Sequence, residues 1–174
     1  MHIPRLVVIG HKEHGKGTFA ALAREEFGLT VQGTSTHMSL LMFELMRETH
    51  GYATPEACYL DRNNHRELWF DEIRRYCGNN PARVIETILT DHLICEGPRH
   101  RVEFEAAKQK TGLWDLVIFI DASKRLPLEP ASSMQLTRDD ADIILENNED
   151  TWAFKQRCRA LLRLLFPNYP LKRR

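Results

Sequence analysis

Leu6-Val7-Val8-Ile9-Gly10-His11-Lys12-Glu13-His14-Gly15-Lys16-Gly17-Thr18 is the stretch from which the fold is read. Four aliphatic residues in a row read as a buried strand. Gly10 opens a loop, and Gly15-Lys16-Gly17-Thr18 leads into an apolar-periodic helix. The spacing from Gly10 through Gly15 and Lys16 to the hydroxyl residue is that of a phosphate-binding loop, or P-loop. Its glycines let backbone N–H groups turn towards phosphate oxygens, and the helix N-terminus adds partial positive charge. Lys16 reaches the β- and γ-phosphates as a mobile point charge. Gly10, His14, Gly15, Lys16, Gly17 and Thr18 are therefore the expected phosphate-loop contacts. The motif usually sets Ser or Thr directly after the lysine, whereas here Gly17 stands in that place and Thr18 follows.

A chain of 174 residues is long enough for one domain with a real core. Its 24 Lys and Arg balance 24 Asp and Glu, so no global basic field advertises nucleic acid or a membrane. No apolar run is long enough to span a bilayer, and the apolar stretch from Met1 to Ile9 is too short for a signal peptide. A cytoplasmic protein without a membrane partner is expected. Cys58, Cys77, Cys95 and Cys158 form no C-x-x-C pair and fit no zinc pattern, so they read as reduced thiols. The histidines are scattered, and no residue is assigned as a metal ligand.

Apolar runs at 6–9, 29–32, 92–95, 116–120 and 141–145 alternate with helical patterns. That alternation predicts an α/β domain, a parallel sheet covered by helices on both faces, spanning 1–174. Helices are expected over Thr18 to Phe27, His37 to Thr49 and Phe104 to Thr111, and from Asp150 or Thr151 to about Phe166. Thr54 and Pro55 open a short helix. Two more carry Trp69, Phe70, Ile73 and Tyr76, and then Val84, Ile85, Ile88 and Leu89. Region 34–92 is thus mostly helical, and 122–140 is an aperiodic loop containing Pro and Ser.

Strand C-terminal ends line the ligand crevice of an open parallel sheet. Glu96 and Asp121 end two such strands, with Arg99 and Arg125 just beyond. Arg62, His65 and Arg66 stand at i, i+3 and i+4 on one helix face. They read either as an anion clamp beside Asp61 or as a solvated face paired with Glu67 and Asp71. Ser35 and Thr36 read either as helix caps or as acceptor contacts.

Gly15-Lys16-Gly17-Thr18 resembles the loop of adenylate kinase and related nucleoside-monophosphate kinases. The resemblance implies a three-layer P-loop NTPase fold with ATP and Mg²⁺ as cofactors. Gly17 would take the magnesium-side Ser position, and the Thr18 hydroxyl would bind phosphate. Glu96-Gly97-Pro98-Arg99 resembles the Asp-Gly-x-Pro-Arg segment of that family, one residue shorter and with Glu for Asp. It is also similar to the Asp-x-Arg-x-x-x-Glu segment of phage deoxynucleoside-monophosphate kinases, with Glu103 in the last place. In those families the acid organises magnesium and water, and the arginine holds a transferring or acceptor phosphate. The loop 122–140 stands where their lid closes over ATP, so Arg125 and Arg138 would meet the γ-phosphate. Their Ser-Thr loop corresponds to Ser35-Thr36, without the usual Gly-Asp that follows.

The chain as a whole resembles small phage kinases, in particular the phage 5-hydroxymethyluridine DNA kinases. Gly51-Tyr52, Asp61-Arg62-Asn63-Asn64-His65-Arg66 and Trp69 carry that likeness. It implies transfer of the ATP γ-phosphate to 5-hydroxymethyluracil in phage DNA, in the host cytoplasm, as a step of thymidine hypermodification. The alternatives are a kinase of free deoxynucleoside monophosphates and a non-catalytic nucleotide-binding regulator. On this reading Lys16, Glu96, Arg99 and Arg125 are catalytic, and Arg138 binds ATP. Ser35, Thr36, Asp61, Arg62, Arg66, Arg99 and Glu103 bind the acceptor. Tyr52, Tyr59 and Trp69 are candidate platforms for a base, and Glu96, Asp61 or Asp121 could take a proton from a hydroxyl acceptor.

Overall fold

β1 (Leu6–Ile9) is fully buried at the centre of a five-stranded sheet. The computed structural model describes residues 2–169, so the basic tail Leu171-Lys172-Arg173-Arg174 lies outside the described residues. The other strands are β2 (Val31–Gly33), β3 (Ile94–Glu96), β4 (Leu116–Asp121) and β5 (Ile143–Glu146). Their order is β2-β3-β1-β4-β5, and every neighbouring pair is parallel.

Side chains alternate across β1, so Val7 and Ile9 enter one core while Leu6 and Val8 enter the other. β4 repeats the division, Val117 and Phe119 against Ile118 and Ile120. Two helices, α1 (Lys16–Glu25) and α7 (Thr151–Leu165), cover the Leu6/Val8 face through Phe19, Ala23, Phe154 and Leu162. The opposite face is covered by α2 (Thr34–His50), α3 (Pro55–Asp61), α4 (Arg66–Cys77), α5 (Arg83–Asp91) and α6 (Arg101–Lys108). Both cores are apolar, and all four cysteines are free thiols. The expected five-stranded parallel sheet between two helical layers is present. No helix among the described residues is long and apolar enough to cross a membrane.

Several boundaries differ from the sequence reading. α2 begins at Thr34, three residues before His37, with Gly33 at the N-cap and no side-chain cap. β2 stays paired with β3 up to Gly33, opposite Glu96, so the chain passes from strand to helix without a hydroxyl-rich loop. Ser35 and Thr36 are therefore first-turn residues, both exposed, and not caps. α6 starts at Arg101, which places Glu103 within a helix. At the last helix the cap is Asp150, whose Oδ1 accepts from the Ala153 N–H at 2.8 Å.

Segment 122–140 has no regular structure beyond a 3₁₀ turn at Arg138–Asp140, yet it is anchored. Met134 and Leu136 are buried in the larger core, and Gln135 N–H donates to the Arg99 carbonyl at 2.9 Å. It is a strap laid across the ends of β1 and β4.

Candidate active site

The loop after β1 has the backbone that its glycines permit. Gly10 has φ 141°, and a Cβ there would lie 2.5 Å from the Ile120 carbonyl oxygen. Gly15 has φ 114°, and its Cβ would meet Asn147 Nδ2 at 2.6 Å. Asn147 in turn donates to the His14 carbonyl at 2.8 Å, which ties the loop to the end of β5. Glu13 is the only non-glycine with positive φ, 65°, among the described residues. A strained residue in a ligand loop is the usual place for such a cost, about 1 kcal/mol. Nothing lies within 4 Å of a Cβ built on Gly17, so the glycine there is not required by packing.

Lys16 opens α1 with its ammonium turned back into the loop. Nζ donates to the carbonyls of Gly10 and His11, each at 2.7 Å. Burial pushes its pKa down to about 8, and the Arg99 guanidinium adds to the shift, against the pull of Glu96 and Glu129. His14 is fully buried with its ring directed away from the cleft. Its Nδ1 accepts from the Ala122 N–H at 3.1 Å, so Nε2 carries the proton and faces the Pro127 carbonyl at 3.3 Å. Only the backbone of His14 belongs to the phosphate loop, and its imidazole supports the strap.

A cleft of about 380 Å³ opens where the C-terminal ends of β1, β2 and β3 meet. One wall is the phosphate loop, with Lys12, Gly15, Lys16, Gly17 and Thr18. The facing wall holds Ser35, Thr36, Tyr59, Glu96 and Arg99, together with Thr34, whose hydroxyl donates to the Gly97 carbonyl at 3.1 Å. The sheet register puts Glu96 beside Val8 and Gly33, which brings its carboxylate to the mouth of the loop.

Other residues singled out in the sequence do not line this cleft. Asp61 accepts from Tyr52 at 2.5 Å, Asn64 at 2.5 Å and His65 at 3.1 Å. The Tyr52 and Asn64 bonds hold its carboxyl below the usual range. The Arg62 guanidinium lies 3.9 Å over the Tyr59 ring and donates to the Tyr59 carbonyl at 2.8 Å. The Arg62–His65 stretch is a 3₁₀ turn, so Arg62 and Arg66 do not share an α-helical face. Glu103 is half-buried on α6, where burial raises its pKa. Arg125 is turned to the Asn147 carbonyl at 2.6 Å, and Arg138 to the buried Asp121 at 2.6 Å. Asp121 also accepts from the Ser123 N–H at 2.9 Å, which leaves Glu96 as the carboxylate facing the cleft from a strand end. Of the candidate platforms, Trp69 is 7 % exposed within the core and Tyr52 is bonded to Asp61. Tyr59 alone of the three lines the cleft.

Two residues at the site escaped the sequence reading. Glu129 pairs with Arg99 at 2.5 Å, and Asn147 holds the loop. Glu129 and Asn147 lie far along the chain from the groups they hold and carry no local pattern. No group of three or more His, Cys, Asp or Glu among the described residues could hold a metal ion by itself.

No protein-family model matches the chain, and no curated protein matches it in sequence. Solved structures do resemble it. A sugar kinase from Janibacter sp. aligns with TM-score 0.51 at 17% identity, over 94% of this chain and 95% of that one. A shikimate kinase from Acinetobacter baumannii, solved with shikimate, aligns with TM-score 0.51 at 16% identity, over 95% and 94%. A shikimate kinase from Aquifex aeolicus gives TM-score 0.51 at 15% identity, over 94% and 97%. At such identities the likeness speaks for architecture, and it agrees with the parallel sheet between two helical layers. The chain therefore has the three-layer P-loop NTPase fold, in the form those kinases share.

Proposed function

We propose that the protein is an ATP-dependent kinase that transfers the γ-phosphate to the hydroxymethyl group of 5-hydroxymethyluracil in phage DNA, in the host cytoplasm. The observation that carries this reading is the chemistry of the acceptor wall. It presents the hydroxyls of Thr34, Ser35 and Thr36, the ring of Tyr59 and the carboxylate of Glu96. Arg99 is its one cation, and Glu129 already engages it. That set suits a neutral hydroxyl on a flat ring better than a phosphate dianion. The pyrimidine stacks on Tyr59, opposite the face covered by Arg62. A base within DNA must leave its stack to reach such a cleft, and an aromatic platform offsets part of that cost. Glu96 accepts the proton of the attacking hydroxyl.

Lys16 and the loop amides hold the β- and γ-phosphates, and Arg99 offsets charge on the group in flight. Glu96 faces the cleft as an oxygen donor that would organise the waters of a magnesium ion held mostly through water and phosphate oxygens, with the Thr18 hydroxyl on phosphate. When bound, the ion supplies charge neutralisation across the β- and γ-phosphates. Arg125 and Arg138 would act on ATP only by leaving Asn147 and Asp121. Asp61 and Arg62 serve the acceptor side indirectly, through their bonds to Tyr52 and Tyr59, and Glu103 stands apart from it on α6.

A second reading, a kinase of free deoxynucleoside monophosphates, rests on Arg99, which could hold an acceptor phosphate. One experiment separates the two. Labelled ATP is incubated with the protein, a mixture of deoxynucleoside monophosphates and DNA containing 5-hydroxymethyluracil. Label in the DNA is the expected result. Label only in small molecules replaces the acceptor with the monophosphate, and label in neither leaves a nucleotide-binding regulator.

The pKa of Lys16 gives a pH signature. With the free-protein value near 8, the ammonium is lost as pH rises through about 8. The pH profile of kcat/KM for ATP reports the free protein, so kcat/KM is expected to fall above that pH. Bound phosphates favour the charged lysine, so kcat itself should decline at higher pH. A kcat/KM profile flat from about pH 7 to 10, across the lowered value near 8, contradicts the role given to Lys16.

A further inference from the structure

Glu129 has no part in the transfer described above, yet it is among the most tightly held side chains near the cleft. It sits in the strap, and its carboxylate reaches back over the phosphate loop. One oxygen accepts from Arg99 Nη1 at 2.5 Å, and the other accepts from the Lys12 backbone N–H at 2.5 Å. Its own N–H donates to His11 Nδ1 at 2.9 Å, and the strap is pinned on either side by the Pro127 and Gln135 contacts. The side chain is 18 % exposed. Burial opposes its charge, but Arg99, the Lys12 N–H and the more distant Lys16 outweigh burial and keep the carboxyl below its usual range. An ionised carboxylate thus sits among the groups that a terminal phosphate would need.

The position of that carboxylate along the nucleotide follows from the two walls. Arg99 stands on the acceptor wall and Lys12 at the start of the phosphate loop. Glu129 itself is not among the residues that line the cleft, but by bridging Lys12 and Arg99 it ties up at the cleft edge two donors that a terminal phosphate entering between the walls would meet. Two anions cannot share one arginine and one loop amide at hydrogen-bond distance without mutual repulsion. We infer that Glu129 is an internal anion competing with the terminal phosphate for these two donors, and that nucleoside triphosphate binds only as the γ-phosphate displaces the Glu129 carboxylate from Arg99 and the Lys12 N–H. This rests on the reading of the cleft as an ATP site. Glu129 is then a positioning residue that weakens triphosphate binding while leaving the diphosphate nearly untouched, because the β-phosphate lies deeper, at Lys16.

Glu129→Gln tests it in the full-length protein. The amide keeps the shape and one acceptor but loses the charge. Calorimetric titration with a non-hydrolysable ATP analogue and with ADP, both with magnesium, reads the effect. If the displaced state is a minor one, removing the competing charge should tighten the ATP analogue by about tenfold or more, with ADP changed less than about twofold. KM for ATP should fall without a rise in kcat. Glu129→Asp keeps the charge but shortens the reach, and should fall between wild type and Gln. If the Gln variant does not fold, the Asp variant decides, by tightening the ATP analogue or failing to. Equal or weaker binding of the ATP analogue by a folded variant overturns the inference and leaves the ATP reading standing. Binding by neither wild type nor variant overturns both.

Discussion

Lys16→Ala is expected to reduce phosphoryl transfer by at least about a thousandfold in kcat/KM, on the order of 4 kcal/mol of transition-state stabilisation. Lys16 is 7 % exposed and its ammonium is bonded to two loop carbonyls, so it is preorganised where the proposed ATP phosphates would enter the cleft. No neighbour can replace it. Lys12 is exposed on the rim, and Arg99 is engaged by Glu129 on the opposite wall. The same substitution should cost little stability, because it removes a buried charge along with its two hydrogen bonds. Initial-rate kinetics with labelled ATP, beside a thermal melt, separate the two effects. Transfer that survives the substitution would remove the kinase reading altogether.

Gly10→Ala is the change expected to cost most stability. A methyl group there would lie 2.5 Å from the Ile120 carbonyl oxygen, and φ is 141°. The clash is with backbone of a central strand, which cannot step aside as a side chain would. Overpacking and backbone strain together should destabilise by about 3 kcal/mol or more, a fall in Tm of roughly 10 °C. Gly17→Ala provides the contrast. Nothing lies within 4 Å of its Cβ and it sits in the first turn of α1, so the change should be neutral or stabilising by up to about 1 kcal/mol. Denaturant midpoints of the two variants check the pair. Equal effects would mean that the loop glycines are not distinguished by packing.

The legible parts of the site are those encoded by neighbours in the chain. Gly10 to Thr18 and Glu96 to Arg99 each lie at the C-terminal end of an apolar run, and parallel pairing brings both ends to one edge of the sheet. Lys16, Thr18, Glu96 and Arg99 therefore share one cleft, as their spacing implied. Region 34–76 carries no such local code. Ser35 and Thr36 stand in the cleft, but as the first turn of a helix. The dense run from Asp61 to Arg66 suggests an anion clamp, yet its groups satisfy one another, Asp61 with Tyr52, Asn64 and His65, and Arg62 with Tyr59. Composition gives no sign of that, because a polar cluster bonded internally and one open to a ligand have the same residues.

The sequence by itself determined the P-loop, the five parallel strands between helical layers, and the acid and arginine at the end of β3. Those properties depend on periodicity and spacing over a few residues. Only the tertiary structure decided that Tyr59 rather than Trp69 or Tyr52 faces the cleft, that Arg138 and Arg125 are turned to Asp121 and Asn147, and that Glu129 closes on Arg99. Each depends on which face of a helix is buried, or on a contact between groups distant in the chain, 30 residues for Arg99 and Glu129. Burial and charge pairing across such distances are settled by how the layers pack, and no local pattern encodes them.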